Sequence, residues 1–142
     1  MRRPGTPPKA AVMLLAAAVV LPAAAMAQIT EQTFRSGRTG DLATLCAAGE
    51  GDPGGGVAAR AWCHAFIVAT GQYHNSVAAA EPQRGRIYCL PSPDMTLDQV
   101  RTAFVSWARS HPQYSDTRAV DGLTRFAGTT WPCPQPSARA RR

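Results

Sequence analysis

Four cysteines, three histidines and a few closely spaced carboxylates are the side chains of this sequence whose chemistry could go beyond packing. Cys63 and His64 are neighbours and His74 lies further along the same segment, so a cysteine nucleophile with an imidazole base is the first reaction to weigh. Adjacent helical residues point about 100° apart, and His74 falls three turns beyond Cys63, so neither imidazole is placed to activate the thiol. The metal reading fares no better. No two cysteines have the C-x2-4-C spacing of a structural zinc site, and the Cys63-His64 pair lacks the second cysteine of a haem-attachment motif, because Arg60 stands in its place. Asp94 and Asp98 flank the start of a helix, where they act favourably on its dipole without needing a substrate. The expectation is therefore no catalytic residue, no metal and no cofactor. Cys46, Cys63, Cys89 and Cys133 are read as two disulfides, which requires an oxidising compartment.

The N-terminus supplies that compartment. Arg2, Arg3 and Lys9 precede an apolar run from Ala10 to Leu21, followed by the small-residue stretch ending Ala25-Met26-Ala27. This is the layout of a cleavable Sec-type signal peptide over residues 1–27, and its apolar run is too short to span a bilayer. A periplasmic protein beginning at Gln28 is expected, with no membrane anchor left after cleavage. The uncharged stretch from Ala61 to Ala80 is interrupted by His64, Thr70, Gln72, His74, Asn75 and Ser76, which is too polar for a lipid-facing helix.

Export also disposes of the charge. The 142 residues carry 15 Lys+Arg against 9 Asp+Glu, a formal +6, but three positive charges lie in the signal. Arg139, Arg141 and Arg142 account for the other three, in a segment 134–142 that reads as a disordered basic tail. What lies between is neutral, so nucleic-acid binding is not expected.

The elements that position these residues are helical. Residues 28–38 read as an N-terminal extension, and Thr39 as the N-cap of a first helix running to Gly49. After the turn-rich stretch from Glu50 to Gly56, a long second helix covers Val57 to about Ala80. Its apolar stripe is expected at Ala58, Trp62, Ala65, Phe66, Ala69, Tyr73 and Val77, with Arg60, His64, Gly71 and Asn75 opposite. Gly71 signals either close backbone approach or a tolerated weakness. Thr96 and Gln99 form a capping box that opens a third helix, whose stripe is Leu97, Val100, Phe104, Trp107 and Ala108 and whose stop is His111-Pro112. A fourth helix over about Ser115 to Gly128 would bury Ala119, Val120, Leu123, Phe126 and Ala127. The fold class is thus all-α, a small bundle of about four helices stapled by two disulfides over residues 39–133.

Two antiparallel helix pairs would bring Cys46 to Cys63 and Cys89 to Cys133. The alternative, Cys63 with Cys89 and Cys46 with Cys133, closes loops of similar chain entropy and stays open at this level.

In the loop after the third helix, His111 is expected to hydrogen-bond the last carbonyls of that helix. Tyr114, among Gln113, Ser115 and Asp116, is either an interface anchor or folded back on the fourth helix.

The ordered frame resembles the Rap/Tai family of periplasmic immunity proteins, which protect bacteria from peptidoglycan amidases delivered by type VI secretion. The residues that carry the resemblance are Asp41-Leu42 through Cys46, Cys63-x-x-Phe66-Ile67 with Gly71, and Cys89-x-Pro91 leading to Thr96-x-x-Gln99. They continue with His111-Pro112, Ala119, Leu123 and the closing Trp131-Pro132-Cys133. The resemblance implies a non-catalytic protein that binds an amidase effector and sterically inhibits it, as a homodimer. Loop position makes Gln113, Tyr114, Ser115 and Asp116 the candidate partner-binding residues, and exposure makes His64 and Asn75 candidates for the dimer face. A second reading keeps the scaffold but makes it an envelope binding or chaperone-like protein.

Overall fold

The computed structural model describes residues 28–82 and 85–134. The expected signal peptide (residues 1–27) and all but the first residue of the basic tail lie outside the described residues.

The chain is helical as anticipated. Among the described residues five α-helices follow one another: α1 (Glu31–Arg35), α2 (Thr39–Ala47), α3 (Gly56–Ala80), α4 (Leu97–Ser110) and α5 (Ala119–Thr130), with a 3-10 turn, Pro112–Tyr114, between the last two. No strand occurs among the described residues, and an isolated antiparallel bridge joins Arg38 to Arg118. The short α2 is the hub, packing against α1, α3, α4 and α5. Leu42 and Cys46 of α2 meet Cys63 and Ile67 of α3, Val100 and Phe104 of α4, and Leu123 and Phe126 of α5 in one core. Phe104 and Phe126 meet edge to face, with ring centroids 5.6 Å apart. Such a pair adds about 0.5–1.5 kcal/mol beyond the apolar area it buries.

The capping box of α4 is present as expected: the Gln99 amide nitrogen donates to the Thr96 hydroxyl at 3.2 Å, and the Thr96 backbone N–H donates to the Gln99 side chain at 2.8 Å. Both disulfides follow the hairpin pairing. Cys46 is bonded to Cys63 across α2 and α3, and Cys89 before α4 is bonded to Cys133 after α5.

Several expectations are corrected. Residues 28–38 are more than an extension, since α1 lies within them, opened by a Thr30/Thr33 capping box, and Phe34 packs edge-on to Trp62 at 6.5 Å. A five-residue helix is too short to show periodicity. Thr39 does not cap α2 through its side chain. It is buried, and its hydroxyl bonds to the carbonyls of Thr117 and Arg118, both at 3.1 Å. Arg38 stands at the cap position instead.

The buried face of α3 is rotated from the expected stripe to Ala59, Cys63, Ile67, His74 and Ala78. The disulfide is the physical reason: Cys63 must turn inward to meet Cys46, and it carries its whole helical face with it. Ala58, Ala65, Ala69 and Tyr73 are exposed as a result. Leu97 and Val120 are exposed as well, although both were assigned to buried stripes. The fourth expected helix begins at Ala119 rather than Ser115 and runs on to Thr130, because Ser115 to Arg118 are held by the start of α2.

The close-approach reading of Gly71 finds no support, because a methyl group there would sit 3.8 Å from the Tyr88 hydroxyl, an ordinary contact. The close approach belongs to Gly122, against whose backbone Thr39 is packed.

Candidate partner-binding surface

The turn between α4 and α5 is built by local hydrogen bonds. Pro112 opens it with a fixed φ and no N–H to satisfy. The Tyr114 and Ser115 amides return to the His111 and Pro112 carbonyls, both at 3.1 Å. Thr117 closes the turn twice onto the Tyr114 carbonyl, through its amide at 3.0 Å and its hydroxyl at 2.7 Å. The His111 ring bonds to the Trp107 carbonyl at 2.8 Å through Nδ1, so this imidazole acts as the helix stop that its position suggested.

Aromatic stacking fixes the turn to the bundle. Trp107 stacks on His111, at 4.7 Å between centroids, and on Tyr114, at 5.6 Å and nearly parallel, and those two rings are themselves 6.2 Å apart. The guanidinium of Arg125 lies over the Tyr114 ring, 4.7 Å from its centroid. Tyr114 is therefore folded back and half-buried, while Gln113, Ser115 and Asp116 are exposed around it.

A second clamp comes from the other end of the chain. The Thr39 and Gly40 amides donate to the Thr117 and Ser115 carbonyls at 2.8 and 2.9 Å, and the Ala119 amide donates to the Gly37 carbonyl at 2.7 Å. Arg38 pairs with Asp116 at 2.8 Å on the open surface. Sequence spacing gave no hint of this contact, since about 78 residues separate the partners. An open groove of about 1270 Å³ runs from the turn along α2 and α4, past Ala43, Ala47, Val105, Arg109, His111 and Ser115. The alanines on the outer face of α2 that form it have no periodic signal distinguishing them from ordinary helix surface.

The two dimer-face candidates lie elsewhere and apart from each other. His64 faces α4, its Nε2 3.4 Å from the Asp98 carboxylate without making a hydrogen bond. Arg101, bonded to Asp98 at 2.9 Å and to the Cys46 carbonyl at 2.7 Å, completes that seam and, with His64 and Arg60, holds the Asp98 carboxyl below the usual aspartate range. Asn75 is exposed on the outer face of α3.

The cysteine–histidine pair is dismantled by the same structure. The Cys63 sulfur is bonded to Cys46, and His74 is buried, stacked on Tyr88 at 3.9 Å with Nε2 accepting the Ile87 amide at 3.0 Å. Burial pushes the Tyr88 phenol above its ordinary value. Among the described residues no group of three or more His, Cys, Asp or Glu could hold a metal, and no helix is long and apolar enough to cross a membrane.

No curated protein and no solved structure matches the chain. The family model described as Rap1a immunity proteins matches residues 38–133, from the clamp residue Arg38 to the closing half-cystine. That span contains α2 to α5, both disulfides and the turn between α4 and α5, and on this ground the chain belongs to the Rap1a immunity protein family.

Proposed function

We propose that this chain is a periplasmic immunity protein that binds a peptidoglycan amidase effector of a type VI secretion system and blocks it sterically, with no catalysis of its own. The family match over residues 38–133 is the observation that carries the reading. Two disulfides suit the oxidising periplasm, and the pattern of residues 1–27 suits export there. Inhibition falls to Gln113, Tyr114, Ser115 and Asp116. The clamps on this turn favour that role, because a surface already ordered before binding loses little conformational entropy when a partner covers it. The protein acts as a homodimer, with Asn75 on the shared face and His64 at its margin.

The test is co-expression of the exported protein with periplasmic amidases encoded in the same genome, scored by lysis and by pull-down. Protection by the intact chain against one of them is the expected result. If every amidase lyses the cells as fast as without the protein, the immunity reading fails.

A further inference from the structure

We propose that Gln28 is a modification site: once the signal segment is removed, its side chain closes on its own α-amine to form an N-terminal pyroglutamate. This goes beyond the immunity function and rests only on the export step within it, cleavage after Ala27.

The chemistry starts from the type of residue. In glutamine the side-chain carboxamide carbon can reach its own α-nitrogen and close a five-membered ring. While Ala27 precedes it, that nitrogen belongs to a peptide bond, its lone pair is delocalised, and it is no nucleophile. Cleavage makes it a primary amine, and α-amino groups ordinarily titrate at about 7.7–8.0, so an appreciable neutral fraction is present near neutral pH. The neutral amine attacks Cδ of Gln28, the bond from N to Cδ forms, and the bond from Cδ to Nε2 breaks. One amine proton leaves with Nε2 as ammonia. No oxidant, reductant or second reactant is required.

The fold leaves this residue free while fixing the next two. Ile29 is half-buried beside Phe34 and Trp62, packed on the cluster of Leu45, Ala48 and Ala59. Its carbonyl oxygen lies against Gly54, 2.5 Å from where a β-carbon would stand. Thr30 caps α1, its backbone N–H donating to the Thr33 hydroxyl at 3.1 Å. Gln28 itself is exposed, belongs to no helix, and makes no hydrogen bond to any other described residue. Ring closure therefore breaks no contact of the fold.

Two consequences follow from the product. The lactam is neutral, so the groove that Gln28 lines together with Ile29, Arg109 and Ser115 carries no ammonium there. An aminopeptidase also finds no α-amine to hold, which protects Ile29, whose loss would loosen the Leu45, Ala48 and Ala59 cluster from α1.

The sequence makes the test clean. Lys9 is the only lysine and leaves with the signal, so the mature chain has one primary amine, that of its first residue. The full chain is exported from its own signal, treated while folded with an amine-acylating reagent, and then digested with trypsin for mass spectrometry. The expected result is an N-terminal peptide, Gln28 to Arg35, lighter by one ammonia and without label. Gln28→Ala is expected to be labelled at residue 28 and to be trimmed by aminopeptidase under conditions that leave the native protein whole. A native peptide that still has its ammonia and takes the label, after prolonged incubation of the folded protein at neutral pH, overturns the modification and leaves export and immunity standing. A first residue other than Gln28, or a chain that keeps residues 1–27, overturns the cleavage site and the modification together. Equal resistance of the native protein and Gln28→Ala to aminopeptidase overturns the protective role.

Discussion

The Thr39 side chain occupies the space that a β-carbon on Gly122 would need: Oγ1, Cγ2 and Cβ of Thr39 lie 2.1, 2.4 and 2.8 Å from that position. The contact locks the start of α2 onto α5, while the Thr39 hydroxyl bonds to the carbonyls leading into α5. Gly122→Ala gains about 1 kcal/mol of helix propensity but drives the buried Thr39 side chain off the α5 backbone, at a cost of about 1–3 kcal/mol or more. A net loss of stability is expected, and its signature in a double-mutant cycle is partial relief on a Thr39→Ala background. Thermal melts of the four proteins measure it. A melting temperature raised by Gly122→Ala alone would refute the packing described.

Burial separates the two disulfides. Cys46 and Cys63 are completely buried, whereas Cys89 and Cys133 are each partly exposed. Under native conditions dithiothreitol is expected to reduce Cys89–Cys133 first, as shown by alkylation of those two residues in peptide maps. Replacing Cys89 and Cys133 by serine removes a 44-residue loop constraint, about 4 kcal/mol by chain entropy, and the melt should fall accordingly.

On the turn, stability and recognition should come apart. Asp116→Ala breaks an exposed pair with Arg38, worth about 0–1 kcal/mol, so the melt barely moves while amidase inhibition weakens. Gln113→Ala should behave the same way. Tyr114→Ala removes the stack on Trp107 and the Arg125 contact, together about 1–2 kcal/mol, and should lower both inhibition and the melt. Inhibition curves beside melts distinguish the two classes.

The Asp98 carboxyl, held below the usual aspartate range by its bond from Arg101, binds its proton less readily in the fold than in the unfolded chain. Its contribution is therefore complete above the usual aspartate range and is lost as pH falls through the depressed value. Denaturant titrations from neutral to strongly acidic pH should show a shallower acid loss in Asp98→Asn than in the native protein. Identical acid limbs would remove Asp98 from the account.

Much of this architecture was legible in the residues. The α4 capping box and the His111 stop follow from local hydrogen-bonding rules, whereas the short reach of a helical hairpin only favoured the cysteine pairing that the structure has over its alternative. The four candidate residues of the turn were also placed on a loop by Pro112 and their polarity. The clamp from Gly37, Arg38, Thr39 and Gly40 was not legible, because it joins backbone groups far apart in sequence and leaves no periodic trace. α1 escaped for want of length.

Sequence alone determined the helical class, the cysteine frame and the likeness to an immunity family, since composition, capping and spacing are local and survive without tertiary contacts. Only the tertiary structure decided which way α3 faces. Its outer and inner stripes are similarly apolar, so amphipathicity could not orient it, and the Cys46–Cys63 bond did. The same bond therefore sets which residues of α3 remain free to meet another protein.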